Sequence, residues 1–117
     1  LPFTDRELIR LDDALIAATR AAKIKFNIYV GDLGSDPGPA VDAIFPTTPE
    51  AAHSILLAVS PNERVVEVRT GRDVADRATN RVAQLGVTAA VASFRDGDLI
   101  DGLVAAVRVM SAAIASP

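Results

Sequence analysis

Five consecutive apolar residues, Ile55–Val59 (ILLAV), constrain this chain more than any other feature. The run is too short for a stable helix and lacks the alternation of a half-exposed strand, so it reads as a strand buried on both faces. Such a strand needs a layer of structure above it and another below. Its neighbours supply the rest of a sheet. Ser60–Glu63 (SPNE) is a turn, and Arg64–Thr70 (RVVEVRT) alternates apolar with polar, which predicts an antiparallel hairpin. Lys25–Val30 (KFNIYV) also alternates. It reaches the buried run through a helical crossover, which predicts that the two strands lie parallel.

Helices surround these strands. Thr4 and Glu7 have the spacing of a capping box, and Asp5 adds favourable charge to the first turn. Leu8, Leu11, Leu15 and Ala18 recur at helical spacing, Ile9 and Ile16 widen the stripe, and the helix should end near Ala22. Gly31–Pro39 (GDLGSDPGP) reads as a loop. A short helix follows over about Ala40–Phe45, stopped by Pro46, and Thr48 is positioned to cap a further turn opened by Pro49. From Gly71 onward the pattern is helical. Val74, Ala78, Val82 and Leu85 mark one face, Asp73 and Arg77 are spaced to pair, and Gly86 is a break or an end. Arg95-Asp96-Gly97 is a turn, and Asp98 opens a last helix to about Ala115. The order predicts an α/β fold, a three-layer αβα sandwich with a small mixed sheet, forming a single domain over residues 1–117. A second domain would have too few residues for its own core.

Composition narrows the function. Twelve Lys plus Arg against fifteen Asp plus Glu give a net charge of −3, which argues against a nucleic-acid partner. The absence of cysteine removes thiolate catalysis, disulfides and the usual structural zinc sites, and His53 alone cannot make a histidine-rich metal centre. His53 reads instead as a helix-end residue favoured by the dipole. No stretch approaches the ~20 apolar residues of a membrane span; the most apolar one, Leu99–Ala115, is interrupted by Asp101 and Arg108. Ten arginines against two lysines suggest a GC-rich bacterial genome, and the expected compartment is the bacterial cytoplasm. A cysteine-free chain suits an exported or membrane-associated form as well.

One cluster of acids follows from topology. A helix feeding an adjacent strand runs opposite to it, so Asp5 should share the carboxyl edge of the sheet with Asp32 and Asp36. Asp96 and Asp98 return to that edge if residues 72–94 cross back over the sheet. Open α/β sheets bind ligands at this edge, and carboxylates suit Ca²⁺ or, with more water, Mg²⁺. Asp5, Asp32, Asp36, Asp96 and Asp98 are therefore the candidate metal ligands. The same five residues also read as ordinary helix starts and turns. The glycine loop matches neither a dinucleotide fingerprint nor a Walker loop. Arg72, Arg77 and Arg81 read either as a phosphate-binding stripe or as a solvated helix face.

Val65–Gly71 (VVEVRTG), Asp76 and Phe94–Leu103 (FRDGDLIDGL) resemble the signature stretches of the TPM domain. That domain occurs in a thylakoid-lumen phosphatase linked to photosystem II repair and in a modulator of acetylcholine receptors. The chain is more closely similar to an actinobacterial family of unknown function that looks like a shortened TPM relative. The resemblance implies an αβα sandwich and, for some members, acid phosphatase activity or divalent-metal binding through aspartates. Gly71, Asp76, Gly97, Asp98 and Gly102 are the matching positions. TPM members place a glycine-aromatic-glycine run and a glutamate after the third strand, whereas this chain reads Thr70-Gly71-Arg72-Asp73.

The function expected is a non-catalytic binding module for a protein partner, with a divalent cation as a candidate ligand and no certain cofactor. The alternative is a weak metal-dependent acid phosphatase. The last helix, with Leu103, Val104, Val107, Met110 and Ile114, is expected in the core; an apolar surface wider than the sheet can cover would make it a homodimer face.

Overall fold

Three strands pair in the order β1 (Lys25–Val30), β2 (Ser54–Ser60), β3 (Val65–Thr70) in a computed structural model that describes residues 3–116. β1 lies parallel to β2, with Phe26 opposite Ile55, and β3 runs antiparallel to β2, with Val66 opposite Val59. Every residue of the central strand is buried. One face of the sheet packs on the long helices α1 (Asp5–Ala22), α3 (Asn80–Asp96) and α4 (Leu99–Ala115) through Phe26, Ile55, Leu57, Val59 and Val66. The other packs on α2 (Pro37–Ile44), where Leu56 and Ala58 meet Leu33 and Val41. The expected three-layer αβα sandwich with a mixed sheet is present.

α1 begins as its sequence demands. Thr4 Oγ1 accepts from the Glu7 N–H at 3.1 Å and Glu7 Oε1 accepts from the Thr4 N–H at 2.9 Å, so two otherwise unpaired donors are satisfied. Its buried line is Leu11, Ala14, Ala18 and Ala22. Leu8 of the helical stripe, and Ile9 and Ile16 that widen it, are 47%, 62% and 46% exposed. α4 contacts α1 on one flank and α3 on the other. Its apolar width, from Ile100 to Met110, is taken up inside the molecule, and the exposed large apolar side chains among the described residues are Leu8, Ile9 and Ile16 on α1 with Val91 on α3.

Four local expectations are corrected. α2 begins at Pro37, inside the stretch read as a loop, because prolines in a first turn lack only an N–H that would have no partner anyway. Thr48 does not cap the next turn; its hydroxyl donates to the Phe45 carbonyl at 2.7 Å, and Glu50 precedes the turn at Ala51–His53 with φ 53°. Residues 72–78 form successive turns rather than helix, and α3 starts after Thr79, whose hydroxyl accepts from the Val82 N–H at 3.3 Å. Finally, α3 passes through Gly86 and runs on to Asp96, with Gly97 in the left-handed region (φ 75°) closing it. Gly86 neither ends nor breaks the helix: a Cβ there would lie 2.4 Å from Met110 Sδ on α4.

Candidate functional site

The carboxyl edge of β1 and β2 collects the segments that topology assigns to it. The loop after β1 is tied to the β2–β3 turn. Glu63 Oε1 accepts from the Leu33 N–H at 2.6 Å and from Ser60 Oγ at 2.7 Å, and Asn62 Nδ2 donates to Asp32 Oδ1 at 2.9 Å. The hydrogen bond from Ser60, followed by that from the Leu33 backbone, holds the Glu63 carboxyl below its ordinary range. Arg64, itself at φ 57°, donates to the Phe94 carbonyl at 2.9 Å and sits 5.6 Å from the Phe94 ring centroid, so the end of α3 joins the same edge.

The five expected aspartates are all exposed there, and each serves its own segment. Asp5 lies in the first turn of α1. Asp32 accepts from Asn62, and its carbonyl accepts from Tyr29 Oη at 3.2 Å. Asp36 precedes α2 without a side-chain cap bond, Asp96 ends α3, and Asp98 caps α4 by accepting from the Asp101 N–H at 3.0 Å. Asp96, Asp98 and Asp101 border one shallow pocket with Ser93. Arg10 on α1 pairs with Asp101, and the hydrogen bond from Arg10 is the main reason the Asp101 carboxyl is held below its ordinary range. Among the described residues, no three His, Asp or Glu side chains stand close enough together to hold a metal ion. The edge is shared, but a common centre for Asp5, Asp32, Asp36, Asp96 and Asp98 is not formed.

The remaining sequence candidates also resolve into local contacts. His53 Nε2 lies 3.2 Å from Asp73 Oδ2 on the surface. Arg77 donates to the Ala22 carbonyl instead of pairing with Asp73, and Arg72 and Arg77 lie in turns, so no arginine stripe runs along a helix face.

A different feature stands out between α1 and β1, which the motifs did not single out. β1 is an edge strand. The Gly31 N–H donates to Val59 O at 3.0 Å, so the odd-numbered residues of β1 direct their backbone groups toward β2. The even-numbered ones face outward. Thr19 Oγ1 on α1 accepts from the Phe26 N–H at 3.2 Å, and the N–H and C=O groups of Ile28 and Val30 face the open side, where no strand lies among the described residues. Alongside runs a trough with α1 as its wall. One stretch, of about 580 Å³, is lined by Phe3, Leu8, Ile9, Leu15, Ile28 and Val30. The next is lined by Leu15, Ile16, Thr19, Arg20 and the successive residues Lys25–Ile28. Asp12, Leu15 and Ile28 border both, which makes them one groove along the strand. Its signal in the sequence is the width of the α1 stripe: Leu8, Ile9 and Ile16 lie off the 11–14–18–22 line.

The fold and this site define a small αβα sandwich with an open sheet edge beside an apolar helix face. Residues 1–111 match the domain of unknown function DUF5130, and the chain belongs to that family. The uncharacterized proteins Rv2468c and MT2543 of two Mycobacterium tuberculosis strains are each 45% identical over 114 residues, covering 97% of this chain and 68% of theirs. The fold is also that of the BA42 protein from the psychrophilic bacterium Bizionia argentinensis (TM-score 0.84, 15% identity, 98% of this chain and 83% of that one). The N-terminal domain of cg2496 from Corynebacterium glutamicum is similar as well (TM-score 0.78, 12% identity, 99% and 77%). The resemblance to TPM domains rests on sequence motifs and is not shown by these relatives. No described helix is long and apolar enough to cross a membrane.

Proposed function

We propose that this domain is a non-catalytic binding module whose contact surface is the α1–β1 groove. The observation that carries the reading is the exposure of Leu8, Ile9 and Ile16 beside an edge strand, in a molecule that packs its other long apolar helix on both flanks. Contiguous apolar surface on a small domain usually marks an interaction site. The carboxylates point the same way. They lock turns and cap helices, and the Ser60 hydroxyl that donates to Glu63 is fully buried, out of reach of a substrate that general acid–base catalysis would require. The TPM resemblance includes a branch that modulates a receptor, which fits a binding role.

The test is a photo-crosslinker placed at Ile9 or, as a control, at the exposed Gln84 on α3, introduced into the native host. A discrete protein adduct from position 9 that is lost when Ile16→Lys is added is the expected result. Equal adducts from both positions, or none, would sink the reading. So would hydrolysis of p-nitrophenyl phosphate that depends on Ca²⁺, Mg²⁺ or Mn²⁺ and disappears in Asp32→Asn or Asp98→Asn.

A further inference from the structure

The groove has a chemistry that selects its occupant. We infer that it takes an extended segment of another protein, about six residues long, added antiparallel to β1, with apolar residues at alternate positions, a basic residue at the middle and a carboxylate at its C-terminal end. This rests on the binding-module reading and adds the class of ligand.

Three observations support it. The outward N–H and C=O groups of Ile28 and Val30 are the hydrogen-bonding edge that an added strand completes. At ~3.3 Å per residue, a segment spanning Lys25–Val30 needs about six residues. A helix or a compact small molecule would leave those backbone groups unmatched; a strand pairs with them and turns every second side chain toward α1. There those side chains meet Leu8, Leu15 and Ile28.

Charge then orients the segment. Arg20 and Lys25 border the groove at the amino end of β1, Asp12 borders it at the middle, and Phe3, Leu8, Ile9 and Val30 make the far end apolar. An acidic terminus at Arg20 and Lys25 places the C-terminal end of the segment at the start of β1, which makes it antiparallel. A lysine or arginine at mid-length faces Asp12. A second copy of this chain fits less well, because two-fold pairing of β1 about Ile28 brings Asp12 toward its own symmetry mate, and like charges repel.

The probe is the octapeptide Val-Thr-Val-Thr-Lys-Thr-Val-Glu with a free C-terminus, titrated into isotope-labelled protein and followed by amide NMR. Its counterpart exchanges the Lys and Glu and carries a C-terminal amide. The expected result is a saturable shift of the Ile28 and Val30 amides with the first peptide, and affinity about tenfold lower for the second. Asp12→Lys, a change at an exposed position, should move the preference toward the charge-exchanged peptide. No perturbation of these amides at millimolar peptide, or equal affinity for both peptides, overturns the inference. Concentration-dependent shifts of the same amides without peptide also overturn it, in favour of a second copy. If the position-9 adduct forms while the peptides fail, the module reading stands and only this occupant is wrong.

Discussion

The α3–α4 seam and the α1–β1 groove are built from the same kinds of residue and end in opposite states. At the seam the helices approach so closely that a Cβ on Gly102 would stand 2.1 Å from Ser93 Cβ, and one on Gly86 would stand 2.4 Å from Met110 Sδ. Each glycine inside a helix costs about 1 kcal/mol relative to alanine. Two of them in one helix pair are tolerated because they let the backbones interlock over a core of Leu103, Val107 and Met110. At the groove, larger apolar residues on α1 are 46% to 62% exposed to water. Alanines at 14, 18 and 22 let α1 settle onto the core, while Leu8, Ile9 and Ile16 remain outside. The closed region shows how tightly this chain can pack. An open apolar face in the same molecule is therefore a matter of which side chains stand there, and that is why we propose it as the contact surface.

The largest effect that could break this contrast belongs to Gly102. Gly102→Ala should destabilise by about 2 kcal/mol in urea unfolding, because the overpacking penalty of roughly 1–3 kcal/mol falls on Ser93 Cβ and the α3 backbone, which cannot swing aside. Gly86→Ala should be close to neutral. Its new methyl meets the flexible end of Met110, and the gain in helix propensity offsets the displacement. Equal losses at the two positions would mean that the seam is tight through its whole length, not only where backbone and Cβ meet.

A smaller effect is expected at the entrance of α4. Asp98→Ala removes the acceptor for the Asp101 N–H and should cost about 1 kcal/mol, with the Ile28 and Val30 amide shifts unchanged. A larger loss, or a change in those shifts, would couple the seam to the groove, and the Arg10–Asp101 pair is the contact through which such coupling would run.

Legibility in the sequence followed the range of the interactions. β1 was readable to the residue, since alternation in KFNIYV and the capping box of α1 are local properties. The stretch 72–78 was not. Val74 and Ala78 are buried at a spacing of four and mimic a helix, but the Gly71 and Asp73 N–H groups donate to the Ser54 and Ala52 carbonyls and hold this segment against the turn before β2. Gly71 itself admits no Cβ, which would stand 2.3 Å from the Ala51 and Ala52 carbonyl oxygens. Topology correctly assigned the start of α1 and the 31–36 loop to the carboxyl edge. It could not show that Asp32 answers to Asn62 and Asp98 to its own helix, because those are choices between neighbours a few ångströms apart. The groove was half legible: the wide α1 stripe was visible, but which side of it α4 covers is a property of the packed molecule.

The smallest effect is the sharpest test of what that uncovered side is for. Ile9→Lys and Ile16→Lys, alone or together, should change stability by less than about 0.5 kcal/mol, since both side chains already stand in water at 62% and 46% exposure. A buried apolar residue of this size would lose several times more on becoming charged. If instead each substitution costs about 2 kcal/mol or more, the exposed side chains support the core, and the contrast between a closed seam and an open groove fails. If stability holds while the position-9 adduct disappears, the two properties separate: α1 keeps the domain folded through Leu11, Ala14, Ala18 and Ala22, and engages its partner through the residues beside them.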